Sequence, residues 1–291
     1  MIRTARLTPL LYLAPMIALL LFVFAYPIVA IFDFSTRRIR GASGPFIGLE
    51  NYRSILSDPL FTESVTHSVL LLLAVPILLV SSVLVAAILH DRIPGWRLYR
   101  TILFFPFILA IPIVGTVFSN ILQLNGALNV TLRSLGLGDL ALDWIGDPSL
   151  TLWTLMGVII WREVGFGIIL FSARMSALNE EIEEAARLDG AGWWSRLLYV
   201  TVPQLKPVIE FYAIISVITI LSAVFAYVYV ITRGGPGTAT QIIELYIFNY
   251  AFRGSLPGIA SAVAVLLFVV TVILIVPLFR VRAQTRLDEV E

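Results

Sequence analysis

The chain has no cysteine, a single lysine and two histidines among 291 residues, and only 13% of it is charged. Without cysteine there are no disulfides, thiolate metal sites or cysteine nucleophiles. His67 and His90 are too few and too separate for a zinc or haem site of the usual kind. Lys206 lies in QLKP, so no G-x-x-x-x-G-K-[ST] phosphate-binding loop exists in this chain. A net charge of +1 leaves no electrostatic footprint for nucleic acid. What abounds is apolar: 59% of residues are hydrophobic and the mean hydropathy is +0.94. That excludes an ordinary soluble domain.

Spanning the hydrocarbon core takes roughly 20 helical residues. Apolar runs of that length lie near Pro9–Phe32, His67–Leu89, Thr101–Leu122, Ser149–Ser172, Val208–Ile231 and Gly258–Phe279. The expected fold is therefore an all-α membrane protein of six spans. The first run is too long for a signal peptide, and no small-residue cleavage site stands out. Prolines 15, 27, 76, 106, 112 and 277 fall inside or near the ends of these runs and mark expected kinks. Gly258/Ala262, Ala260/Ala264 and Ser82/Ala86 are small-xxx-small pairs that permit close helix contact.

Charge asymmetry sets the expected orientation. With the N-terminus inside, inner segments hold Arg3, Arg6, Arg92, Arg97, Arg100, Arg174, Arg187, Arg196, Lys206, Arg280, Arg282 and Arg286. Outer loops hold Arg37, Arg38, Arg40, Arg53, Arg133, Arg233 and Arg253. Twelve against seven favours both termini in the cytoplasm, although Arg37–Arg40 pulls the other way.

The most informative stretch is the polar loop between the fourth and fifth runs. Asn179 is a helix N-cap, and Glu180 and Glu181 sit where the helix dipole favours carboxylates. Gly190 ends that helix, and a second helix is expected from Gly192 to Tyr199, closed by Pro203. The i,i+4 pair Glu183/Arg187 is favourable and Glu180/Glu184 is not. A helix built to lie on anionic lipid would be basic, so this acidic one reads better as a plug for a basic groove on a partner. Trp193 and Trp194 in its second helix are expected to anchor it at the bilayer surface or against neighbouring helix ends.

Glu184-Ala185-Ala186, three residues, Gly190, nine residues, then Val200-x-Val202-Pro203 resembles the EAA loop of permease subunits in binding-protein-dependent ATP-binding-cassette importers. The family ending is Ile-x-Leu-Pro, and this chain departs from it by valines. Asp189 and Ala191 flank Gly190 as in the sugar-type branch, the maltose and glycerol-3-phosphate permease family. Gly48-Leu49-Glu50-Asn51-Tyr52, Asp58-Pro59, Phe61, Arg100-Thr101, Phe105-Pro106, Gly126, Asn129, Thr232, Gly234-Gly235-Pro236 and Ala260-Ser261-Ala262 extend the resemblance. It implies the importer permease fold and a cytoplasmic coupling helix, with Glu184, Ala185, Ala186, Asp189, Gly190 and Pro203 at the ATPase joint. It also implies a second related permease, two ATP-binding subunits carrying ATP and Mg, and an extracytoplasmic solute-binding protein. No cofactor, metal or catalytic residue is expected in this chain. The organisation expected is a membrane helix and outer loop in 1–66, a permease core in 67–280 with the EAA loop at 180–203, and a cytoplasmic tail at 281–291.

Residues for the substrate pathway are Trp161, Arg162, Glu163, Phe225, Tyr229 and Asn120. Arg162 and Glu163 sit deep in the fourth run, where charge is costly. As sequence neighbours they are expected to need partners on other helices, Glu210 being one for Arg162, in either a structural ion pair or a pathway role. Trp161, Phe166, Phe225, Tyr227 and Tyr229 offer flat faces for a sugar ring, or else face lipid. Alternatives remain: glycerol phosphate, a polyol or an amino sugar as cargo, or a membrane-embedded enzyme or passive channel. The spans contain no His/Asp cluster for an enzyme, and no ring-forming filter motif for a channel.

Overall fold

The computed structural model describes the backbone of residues 7–39 and 43–288 and the side chains of 12–39 and 43–277. Arg3, Arg6 and Arg40, the side chains of Arg280, Arg282 and Arg286, and residues 289–291 of the tail lie outside these described residues. In chain order the helices are α1 (Leu7–Leu20), α2 (Tyr26–Ser35), α3 (Glu50–Leu56), α4 (Pro59–Leu71), α5 (Ala74–His90), α6 (Trp96–Ile108), α7 (Ile111–Ile121) and α8 (Ala127–Ser134). There follow α9 (Thr151–Met175), α10 (Glu180–Leu188), α11 (Trp193–Arg196), α12 (Val202–Ser222), α13 (Val224–Ile231), α14 (Ile243–Phe248) and α15 (Pro257–Asp288).

Among the described residues, five helices are long and apolar enough to span a bilayer: Tyr12–Ser35, Pro59–His90, Thr151–Met175, Trp193–Ser222 and Pro257–Pro277. The third expected run is not one rod. It is the pair α6 and α7, bent by 99° at a break. Leu109 and Ala110 are extended there, with ψ of 138° and 136°. Pro106 near the end of α6 and Pro112 in the first turn of α7 bracket the break, since each lacks an N–H and crowds the turn before it.

The fifth span also differs from expectation. The helix expected to close at Pro203 runs on, from Trp193 to Ser222. A π turn over Leu197–Thr201 precedes Pro203, and the Val202 amide bonds back five residues to the Leu197 carbonyl. A proline ring clashes with the carbonyl four residues earlier, here Tyr199 within the widened turn. The π turn Leu21–Ala25 stands before Pro27 in the same way. Widening the turn lets the chain continue through proline.

The described residues form two compact units. In the unit drawn from Met1–Phe61 and Tyr246–Val270, buried Asn51 donates to the Ser35 and Arg37 carbonyls at 2.8 and 2.9 Å. Gly258 lies against the Arg37 carbonyl, where a Cβ has no room, so it serves a loop contact. Asp58 accepts the Leu60 amide (2.9 Å) and the Tyr246 and Tyr250 hydroxyls (2.7 and 3.0 Å). Burial alone raises the Asp58 pKa, but these three hydrogen bonds outweigh it and hold the carboxyl below its usual value.

In the unit drawn from Thr62–Leu245 and Thr271–Glu291, α5 and α6 both pack on α9. Gly167 of α9 leaves no space for a side chain beside Ser82 of α5 and Tyr212 of α12. Gly165 stands as closely against the α6 backbone at Leu103, and Gly115 of α7 against Val230 of α13. Ser82 and Ala86, the expected packing pair on α5, are fully buried. Phe171, Met175, Leu205 and Tyr212 fill the core between these helices. Among lipid tails such contacts, rather than water exclusion, hold helices together.

Candidate functional site

The inner elbow is built from local signals. Asn179 Oδ1 accepts the Glu181 amide at 3.0 Å, capping α10, whose first turn carries Glu180, Glu181 and Glu183. Gly190 adopts φ +80°, a left-handed turn, and the Ala191 amide closes back onto the Ala186 carbonyl at 3.0 Å. Nothing lies within 4 Å of where its side chain would be, so the backbone, not space, demands glycine. Arg187 reaches Glu183 at 3.6 Å, and His90 at the end of α5 stands 3.9 Å from the same carboxylate.

Trp193 donates its indole N–H to Asp91 at 2.7 Å and packs on the helical core, anchoring the elbow to the end of α5. Trp194 stays exposed, edge-on to Trp193 at 4.6 Å between ring centres. Along α10 no side chain is buried: Glu184 and Ala185 are exposed and Ala186 half-buried, while Asp189, Gly190 and Pro203 are exposed. Leu188, at 89% exposure, is the most open large apolar residue among the described residues, with Ile182 six residues earlier also exposed. Sequence reasoning passed over this pair. The signal was only that two large apolar side chains interrupt an otherwise polar helix, since six residues set them about 120° apart around its axis.

A second centre forms at the break between α6 and α7. With its helix ended, the Leu109 carbonyl has no intrahelical partner. Arg162 of α9 fills that role, with Nε at 3.0 Å and Nη2 at 2.9 Å from the oxygen. Its Nη1 bonds Glu163 Oε1 at 2.5 Å, and its guanidinium lies over the Phe107 ring at 5.2 Å. The same Glu163 oxygen accepts the Tyr227 hydroxyl at 2.8 Å, and the Glu163 backbone carbonyl accepts the Tyr212 hydroxyl at 3.2 Å.

Two expectations are thereby corrected. The neighbours Arg162 and Glu163 do satisfy each other, because the long arginine curls back along its own helix. The Leu109 carbonyl, rather than the Glu210 carboxylate, takes two of the guanidinium N–H groups. No sequence signal located this acceptor, since it exists only once the helix breaks. The aromatic candidates separate. Tyr227 is fully buried and bonded to Glu163, so it is closed to a sugar ring, while Phe166 is half-buried and stacks on Phe107 at 5.2 Å. Trp161 stays 43% exposed, edge-on to Phe118 of α7. Phe225 and Tyr229 stack on each other at 5.3 Å, partly exposed on α13. Asn120 is exposed on α7 and donates to the Thr116 carbonyl of its own helix at 2.7 Å.

Comparison with known proteins fits this architecture. Residues 55–287 match the family described as binding-protein-dependent transport system inner membrane component. The chain belongs to that family. It is thus an inner membrane component of a transport system. A probable ABC transporter permease protein of Bacillus subtilis, YurN, is 31% identical over 282 residues, covering 94% of this chain and 95% of that one. The trehalose/maltose transport system permease protein MalF of Thermococcus litoralis is 32% identical over 273 residues, covering 92% and 90%. A chain of the bacterial alginate ABC transporter, crystallised in complex with an alginate pentasaccharide-bound periplasmic protein, superposes with a TM-score of 0.83. It shares 22% identity over 95% of this chain and 94% of that chain, so the fold is that of an ABC importer permease.

Proposed function

We propose that this chain is the transmembrane permease subunit of an ATP-driven importer carrying a sugar or sugar-like solute across the cytoplasmic membrane. The observation that carries the reading is the elbow. A capped helix with no buried side chain turns at Gly190, and the chain then continues without interruption from Trp193 into a membrane span. A load on α10 reaches the bilayer through a helix rather than a slack loop.

Glu184, Ala185, Ala186, Asp189 and Gly190 form the face docked into a separate ATPase subunit, and exposed Leu188 enters the same groove as an apolar anchor. Pro203, with its π turn, sets the angle at which the lever enters the membrane. Two such ATPase subunits bind ATP and Mg, a second related permease completes the pathway, and an extracytoplasmic binding protein delivers the solute. Family membership and the periplasmic protein bound to the alginate transporter support that assembly. Both termini and the elbow face the cytoplasm, in keeping with the Lys and Arg distribution. ATP closes the ATPase dimer, the elbows move as levers, and the helices exchange outward for inward access.

Carbohydrate is favoured over a phosphorylated cargo because Arg162 is already committed to Leu109 and Glu163. Trp161, Phe225, Tyr229 and Asn120, each at least partly exposed, are the residues that touch cargo, while Arg162 and Glu163 hold the frame. Affinity purification of the tagged chain from its own membranes tests this. It is expected to bring down an ATP-binding subunit and a second permease, and the reconstituted complex to take up sugar only with ATP and the binding protein. A chain that purifies alone, or uptake that needs no nucleotide, overturns the proposal.

A further inference from the structure

Where α5 ends, α6 begins and α9 ends, a cleft of about 410 Å³ opens at the level of the span ends. Arg92, Arg97 and Arg100 line it, and Glu180 is the one carboxylate on its wall. None of the three arginines enters an ion pair among the described residues. Arg92 is held there in a left-handed turn at φ +54°, an uncommon state for a side-chain-bearing residue. α6, 13 residues long, starts at the cleft with no side-chain cap, so its dipole adds to the positive field.

A second, independent observation points to an occupant. Ser172 also lines the cleft, is 92% buried by its 8% exposure, and its hydroxyl has no hydrogen-bond partner. A buried hydroxyl left unpaired is costly, and an acceptor oxygen in the cleft satisfies it. The surroundings decide between a lipid and a free ion. Half-buried Trp96 sits under the Arg97 guanidinium at 5.4 Å, and α6 continues from the cleft with exposed Leu98, Tyr99 and Ile102. A cationic cleft at the span ends that opens onto an apolar helix face suits a phosphate bearing acyl chains.

We infer that this cleft binds the phosphate head group of an anionic phospholipid, with Arg92, Arg97 and Arg100 on the phosphate and Ser172 donating to it. The inference needs only that the chain spans a membrane, so its failure leaves the importer reading untouched. The test uses the chain purified with its native partners, incubated with an equimolar mixture of phosphatidylglycerol and phosphatidylcholine, and retained lipid counted by native mass spectrometry. Phosphatidylglycerol is expected to be preferred at least about tenfold, and R97Q and R100Q each to lower that preference about fivefold.

Should R97Q and R100Q fail to insert, S172A and a salt titration of the unaltered protein carry the test. The preference should weaken in both. Equal retention of the two lipids, or a preference indifferent to these substitutions and to salt, overturns the inference. Displacement of phosphatidylglycerol by excess sodium phosphate at constant ionic strength assigns the cleft to free phosphate and overturns it too. So does loss of a co-purifying partner with the lipid preference intact, which makes the arginines a docking surface for protein.

Discussion

Arg162 and Glu163 show how a pair of charges comes to be tolerated among membrane helices. Each is nearly buried, with side-chain exposures of 12% and 11%, and each is bonded both to the other and to a separate helix. Removing one partner leaves the other charge uncompensated, which costs about 3–5 kcal/mol in buried pairs. Arg162→Met is therefore expected to lower the thermal stability of the purified complex strongly. Arg162→Met with Glu163→Gln should cost clearly less than the sum of the two single substitutions. An additive double-mutant cycle would show that the two residues do not act as a pair.

Glu244, on α14 and outside the spans, behaves differently. Its Oε1 is buried without a hydrogen-bond partner, and burial pushes its pKa up from 4.5 to about 7. A carboxyl raised in this way stays protonated in the folded chain while the unfolded chain has lost its proton. The contribution of Glu244 to folding stability is then fully present below pH 4.5 and is lost as pH rises through about 7, a total on the order of 3 kcal/mol. Glu244→Gln should flatten melting temperature against pH between these values and raise it at pH 8. A Gln variant with the same slope as the parent would exclude Glu244 as the cause.

Among the elements, the elbow and the α5–α9 seam make distinct demands. At Gly190 any β-branched side chain must adopt φ +80°, which costs about 1–2 kcal/mol in the left-handed region. Gly190→Val is thus expected to shift the end of α10 without unfolding the spans, and Glu184→Lys to reverse charge on the face proposed for docking. Both should insert normally, yet the complexes that carry them should hydrolyse ATP with little uptake. Normal solute-stimulated ATPase activity and uptake in both would count against the coupling role. At Gly167 the limit is space. Gly167→Ala forces Ser82 and Tyr212 apart, an overpacking of about 1–3 kcal/mol, and should lower melting temperature while Gly157→Ala, where nothing lies within 4 Å, should not.

Across the whole molecule, the absence of native cysteine makes sidedness directly measurable. A single cysteine at Leu188 is expected to react with a membrane-impermeant maleimide only in inverted vesicles, and one at Ser134 only in intact cells. The reverse pattern would put the elbow outside, away from any cytoplasmic ATPase, and the transport mechanism would fail with it.

Much of this was legible in the chain read as a string. The spans follow from composition, because crossing about 30 Å of hydrocarbon needs unbroken apolar length wherever the segment later packs. The start and turn of the elbow at Asn179 and Gly190 follow from caps and backbone sterics, which act within a few residues. A kink in the third run was legible at Pro106 and Pro112, but its 99° size, the passage of a helix through Pro203 and the partner of Arg162 were not. Each depends on which distant backbone arrives beside it: whether a freed carbonyl finds a guanidinium, whether a turn can widen, and whether two helices meet at a glycine. Local chemistry sets what every segment is able to form, and only the packed bundle selects among those options.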